Sequence, residues 1–185
     1  TSTNVAEVAF QIERSIPGSA VGRQDMYAAC IGGFNLFEFN TKNTITPIST
    51  DSIHLDTLLP SMRIFWTGVQ RSASKILSEQ IILSKSKLAQ YRSLRDLTLN
   101  TYKSLASHNN NLLDVLANNL NENRRIKYSL SDSIVNQQLL DMEAIISAQG
   151  AIATKLLGAG GGGFILAYFL TKIPHYVHHI ILTYC

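Results

Sequence analysis

The sequence predicts a mixed α+β chain, and three observations carry that prediction. Short alternating apolar runs at Phe34–Phe39 and Met62–Trp66 have the two-residue period of strands. From Ala73 to Ile146 the apolar residues recur instead at helical spacing. Near the end, five glycines in six positions, Gly158 to Gly163, separate two apolar runs.

The elements follow in order. Val5, Ala9, Ile12 and Ile16 lie at helical spacing, and Pro17-Gly18 ends that helix. Gly22 to Cys30 reads as a second helix, stopped by Gly32-Gly33. Phe34 to Phe39 is a strand, and Thr44 to Ile48 is its partner. Asp51 to Pro60 reads as a loop between layers, and Met62 to Trp66 as a strand ending at Thr67-Gly68. Ala73, Ile76, Leu77, Ile81 and Leu88 then share a helical face. Leu88, Tyr91, Leu94, Leu97, Tyr102 and Leu105 form the next stripe. The tract His108–Asn111 breaks it and can cap a helix carrying Leu112, Leu113, Leu116 and Leu120. Ser131-Asp132-Ser133 signals a helix start for a run through Val135, Leu139, Met142 and Ile146, and Gly150 supplies the stop. A strand, the glycine loop and a strand from Phe164 to Leu170 complete the order.

Composition narrows the class. Hydrophobic residues make up 45% of the 185 and charged residues 16%, a globular balance with material for one substantial core or two small ones. The net charge of +3 suits anionic small molecules, but no dense Lys/Arg stripe with interleaved aromatics marks a nucleic-acid surface. Cys30 and Cys185 form no CxxC pair and no disulfide framework, which points to a reducing, cytoplasmic setting. The apolar run Phe164 to Leu170 is too short to span a bilayer, so no membrane partner is expected. His175, His178 and His179 have helical spacing without a further ligand and read as surface residues rather than a metal site.

The glycine loop Lys155-Leu-Leu-Gly-Ala-Gly-Gly-Gly-Gly-Phe164 can turn several backbone N–H groups toward one anion. A Walker A loop would need Gly-Lys-Ser/Thr at its end, and here Phe164 follows. Gly158, Gly160 and Gly163 match GxGxxG, but a strand follows instead of a helix, and no acid occurs after Glu143 to hold a ribose. What remains is a loop that enters a strand.

A second constellation is Gly22-Arg-Gln-Asp-Met-Tyr-Ala-Ala-Cys-Ile-Gly-Gly33. Asp25 falls in the first turn of its predicted helix. It has two readings: an acid that complements the helix dipole, or a catalytic carboxylate that attracts the proton of an acceptor hydroxyl. Arg23 either contacts a phosphorylated substrate or covers the helix surface. In Phe65-Trp-Thr-Gly-Val-Gln-Arg-Ser-Ala-Ser74, a helix start with Arg71 beside it is either an anion site or an ordinary cap.

Together these segments resemble the GHMP kinase superfamily. Lys155 to Phe164 is similar to its third motif, with Ala159 and Gly160 to Gly162 matching the core. Arg23-Gln-Asp-Met-Tyr-Ala-Ala, Gly33-Phe-Asn, Thr67-Gly-Val-Gln-Arg-Ser-Ala and Arg125-Ile-Lys-Tyr-Ser-Leu-Ser131 resemble the D-glycero-D-manno-heptose 7-phosphate kinase subgroup. The resemblance covers roughly residues 3 to 170. It implies a two-layer GHMP kinase-like fold, with residues 1–60 as the end of a ribosomal S5 domain 2-like N-terminal domain. Residues 61–185 then form a ferredoxin-like C-terminal domain that is shortened at its end.

The implied activity is phosphorylation of the anomeric hydroxyl of heptose 7-phosphate with ATP and Mg²⁺, feeding GDP-heptose and surface-glycan synthesis. A related sugar kinase (fucose, galactose) and a non-catalytic fragment are the alternatives. The implied partners are a small sugar phosphate and ATP. The implied roles are Asp25 as base or charge stabiliser and Gly158, Ala159, Gly160, Gly161, Gly162 and Gly163 as the phosphate-side loop. Arg23, Gly68 and Arg71 are weaker candidates for substrate contact. The Pro-x-x-x-Gly-Leu-Gly-Ser-Ser loop of the family has no counterpart here, so the chain is expected to be incomplete, to bind ATP poorly and to be inactive alone.

Overall fold

The computed structural model describes residues 1–40, 44–47, 58–70, 72–107 and 112–170. Arg71, the His108–Asn111 tract, most of the Asp51–Pro60 loop and the histidines of the tail lie outside the described residues. The element order is α1 Ser2–Arg14, α2 Arg23–Ile31, β1 Asn35–Glu38, β2 Thr44–Pro47, a short 3₁₀ turn at Leu59–Ser61 and β3 Met62–Trp66. It continues with α3 Ala73–Leu83, α4 Leu88–Ala106, α5 Leu112–Tyr128, α6 Gln137–Ala148, β4 Ala151–Leu156 and β5 Phe164–Phe169. The fold is α+β, as the sequence predicts. Among the described residues no helix is long and apolar enough to cross a membrane.

β1 and β2 form an antiparallel hairpin in which Leu36 faces Thr46. The other sheet has the order β3-β5-β4, all antiparallel, with Ile64 opposite Leu166 and Lys155 opposite the same Leu166. Strand alternation gives this sheet two apolar faces. On one face Ala153 and Tyr168 pack with Leu58, with Leu105 of α4 and with Ala117 of α5. On the other, Phe65, Leu156, Ile165, Ala167 and Phe169 pack with Leu139 and Ile146 of α6. A third cluster joins Ile76 of α3 to Leu130 and Ile134, with Ala159 of the glycine loop against it. The loop therefore sits on a packed floor.

Two sequence expectations need correction. In α1 the buried residues are Ala6 and Phe10, while Val5, Val8, Ile12 and, past its end, Ile16 are all more than half exposed. The spacing is right and the phase is wrong, because apolar residues occur on more than one side of this helix. The segment from Ser131 to Ser133 does not begin α6. Its Ser131 Oγ accepts the N–H of Ser133 at 3.1 Å, a turn that closes two residues on. The cap is Asn136, whose Oδ1 accepts the N–H of Leu139 at 2.9 Å. Val135 accordingly precedes the helix but still packs on its cluster.

Candidate functional site

The glycine loop bridges β4 and β5, and Leu157 N–H donates to the Phe164 carbonyl at 2.8 Å across its base. Four neighbouring residues hold it. Gly161 N–H donates to Ile134 O at 2.7 Å, and Gly163 N–H donates to Val69 O at 2.9 Å. Thr67 N–H donates to Gly163 O at 2.9 Å, and Gln80 Nε2 of α3 donates to Ala159 O at 3.1 Å. The sequence leads one to expect several N–H groups free for an anion. Gly161 and Gly163 spend theirs on the scaffold. Those of Gly158, Ala159, Gly160 and Gly162 make no hydrogen bond among the described residues.

Two of these glycines are required by close approach. A Cβ on Gly162 would lie 2.5 Å from the Val69 carbonyl oxygen. One on Gly160, whose φ is +122°, would lie 2.8 Å from Ile134 Cγ2 and 3.1 Å from its Cα. Such distances leave no room for a side chain without moving backbone.

The turn that receives Gly161 is itself fixed from α3. Ser131 Oγ donates to Glu79 Oε1 at 2.6 Å and lies 2.8 Å from Ser133 Oγ. These hydroxyls hold the Glu79 carboxyl below its usual range. From the C-terminal turn of α5, Lys127 Nζ donates to Leu156 O at 3.3 Å and to Gly158 O. It clasps the loop where it leaves β4. Burial pulls this ammonium down from 10.5 to about 8, and Lys155 nearby pushes it the same way. The sequence does not mark Lys127, Glu79 or Ser131 as supports of the loop. Their partners lie 31, 52 and 52 positions away, so no local pattern announces them.

The lowered Lys127 value has a consequence for stability. The unfolded chain holds this proton more tightly than the folded one between about pH 8 and 10.5, so the group's cost falls as pH rises through that window. The stability of the wild type minus that of Lys127→Met is expected to grow from pH 7.5 to about pH 10 in urea melts. A difference that is flat across this range would contradict a buried charge at the loop.

At the other end of the chain, α2 begins on Gly22 without a side-chain cap, and Asp25 lies in its first turn. Asp25 is exposed and forms no ion pair among the described residues. Arg23 is engaged: its Nε and Nη2 donate to Glu7 at 3.1 and 3.2 Å, and its guanidinium lies 4.5 Å from the Phe10 ring centroid. Tyr27 Oη also donates to Glu7 at 3.1 Å. Arg23 first, then Gln11, hold the Glu7 carboxyl at about 2. Gly68 lies exposed in the turn after β3 with φ +70°.

One side chain connects these regions. Ser74, in the first turn of α3, donates to Gly18 O at 2.6 Å and accepts from Ala20 N–H at 2.7 Å. The stretch leading into α2 is thus tied to α3. The turn that opens α3 holds the glycine loop through Val69 and Thr67.

No family model matches the chain. Over 171 residues it is 29% identical to D-glycero-alpha-D-manno-heptose 7-phosphate kinase of Campylobacter jejuni, covering 89% of this chain and 49% of that one. Among solved structures it is similar to L. major mevalonate kinase, crystallised with R-mevalonate, with TM-score 0.66 and 20% identity over 93% of this chain and 51% of that one. It is also similar to a D-glycero-D-manno-heptose 1-phosphate kinase from Bacteriodes thetaiotaomicron, with TM-score 0.60 and 21% identity over 98% of this chain and 48% of that one. The resemblance read from the motifs is borne out: the sequence is similar to a heptose 7-phosphate kinase, and the fold is similar to part of the mevalonate kinase and heptose 1-phosphate kinase structures. The chain spans about half the length of these relatives.

Proposed function

We propose that this chain is part of an ATP-dependent sugar kinase that phosphorylates the anomeric hydroxyl of a phosphorylated heptose, D-glycero-D-manno-heptose 7-phosphate. The supporting observation is the Ser74 tie. It joins the stretch entering the Asp25 helix to the helix whose opening turn carries the glycine loop. An acid and a loop with unbonded N–H groups, fixed to one scaffold, suit phosphoryl transfer, where catalysis is chiefly positioning and charge stabilisation.

In this reading Asp25 takes a hydrogen bond from the acceptor hydroxyl and draws its proton away as the new bond forms. The N–H groups of Ala159, Gly160 and Gly162 face the developing charge on the phosphoryl oxygens. The fit to ATP rests on the unbonded donors of the loop. ATP with Mg²⁺ supplies the transferable phosphoryl group and neutralises its charge. Among the described residues no cluster of three His, Cys, Asp or Glu side chains is arranged for a metal, so the ion would be carried by nucleotide phosphates. Gly68 and Arg71 are assigned to the phosphosugar. Arg23 can join them only while keeping Glu7 on two of its nitrogens. We assign residues 1–60 and 61–185 to the N- and C-terminal domains of such a kinase, acting in the cytoplasm on the route to GDP-heptose.

Thermal shift tests the substrate. Heptose 7-phosphate is expected to raise the melting temperature of residues 1–185, and galactose and fucose to leave it unchanged. A larger shift from a neutral hexose would sink the heptose assignment. These 185 residues alone are expected to release no ADP, since the relatives are about twice as long. Robust turnover would refute that part of the proposal. In the longest expressed form that turns over, Asp25→Asn is expected to lower kcat by about a hundred- to ten-thousand-fold. A loss under about tenfold would remove Asp25 from the role.

A further inference from the structure

A cavity of about 270 Å³ opens between the β1–β2 hairpin and helices α4 and α5, and nothing in the phosphotransfer reading uses it. Its walls are largely apolar, with Leu36, Leu97, Leu105, Leu116 and Leu120 among them. Part of its polar lining is already satisfied. Asn119 Nδ2 donates to Thr101 Oγ1 at 2.8 Å, and Thr101 and Thr98 hydroxyls donate to the Leu97 and Leu94 carbonyls. Three polar heads in the lining are not: Tyr102 Oη, the Asn123 amide and the Lys155 ammonium make no hydrogen bond among the described residues.

Lys155 decides the chemistry. It stands on β4 opposite Leu166, next to the face covered by α5, and burial pushes its ammonium down. A second cation, Lys127, lies close enough to be destabilised by it. No carboxylate pairs with Lys155 among the described residues. An uncompensated ammonium at the edge of an apolar cavity calls for a negative charge attached to an apolar body.

We propose that this cavity binds a small monocarboxylate, its carboxylate on Lys155 and Asn123 and its hydrocarbon part against Leu97, Leu105, Leu116 and Leu120. A nucleotide is too large for it, since drug-sized ligands already occupy about 300 Å³ or more. A sugar would leave most of its hydroxyls against leucines without partners. The proposal is independent of the phosphotransfer reading and stands or falls by binding alone.

The test is titration calorimetry on the 185-residue chain with hexanoate, hexan-1-ol and inorganic phosphate. A charge-assisted hydrogen bond implies that hexanoate binds at least about tenfold more tightly than the alcohol. Lys155→Met should remove that advantage and leave hexan-1-ol binding unchanged, and Lys155→Arg should restore part of it. Asn123→Leu serves as the second variant should Lys155→Met fail to fold. It should weaken hexanoate by about threefold or more without weakening the alcohol. Equal affinity for acid and alcohol, hexanoate binding that survives Lys155→Met, or phosphate displacing hexanoate at equal concentration would each overturn the proposal.

Discussion

Gly162→Ala is expected to disable the glycine loop and to cost about 1–3 kcal/mol of stability, the usual range for forcing a methyl group into packed structure. The new Cβ would meet the Val69 carbonyl oxygen at 2.5 Å and the Val69 carbonyl carbon at 3.1 Å. Neither is a side-chain tip that can swing aside. Val69 O also receives the Gly163 N–H, so pushing these two segments apart strains the neighbouring hydrogen bond. Gly158→Ala is the control. Its Cβ meets nothing within 4 Å, and only its φ of +65° carries a cost, about 1–2 kcal/mol. The two variants separate when read together. In the longest expressed form that turns over, Gly162→Ala should lose ligand-induced stabilisation by ATP as well as stability, whereas Gly158→Ala should lose stability only. Retention of nucleotide binding by Gly162→Ala would mean that the loop tip does not face phosphate.

The loop was legible in the sequence because glycine is a local signal. So were the strand at Met62–Trp66, the hairpin beginning near Phe34 and the placement of Asp25 in a first helical turn. Each depends on a few adjacent residues. The errors arose where two local signals competed. α1 carries Val5, Ala6, Val8, Ala9, Phe10 and Ile12, which supply a helical period on two sides, and periodicity does not say which side is buried. Tertiary contact decides it: Phe10 lies under Arg23, and Glu7 binds Arg23 and Tyr27. Ser131 and Asn136 both offer a capping oxygen, and Glu79 claims the first. The residues that support the loop were invisible for the same reason, since their partners are distant in sequence.

Glu143→Ala is expected to be strongly destabilising, although the residue is charged rather than apolar. The Glu143 side chain is 2% exposed and sits where three elements meet. Arg124 Nε of α5 donates to its Oε2 at 2.9 Å. Tyr128 Oη of the same helix donates to Oε1 at 2.7 Å, and Thr154 Oγ1 of β4 donates to that oxygen at 3.3 Å. Burial first, then Glu143, raise the Tyr128 hydroxyl well above its ordinary value, so Tyr128 remains a donor at any working pH. Truncation strands these donors in the interior.

Breaking a buried ion pair from one side costs about 3–5 kcal/mol. Arg124 keeps 34% of its side chain in solvent and can partly rehydrate, which sets the expectation near the lower end, about 3 kcal/mol. For a chain of this size that is a fall in Tm of about 6–12 °C. Glu143→Gln keeps the shape and one acceptor and should cost about half as much. The double variant Glu143→Met with Arg124→Met should recover most of the loss, because removing both charges leaves nothing unpaired. If Glu143→Ala melts within about 2 °C of the wild type, α5, α6 and β4 are not held by this carboxylate. The rigid approach of β4 to the glycine loop would then need another cause.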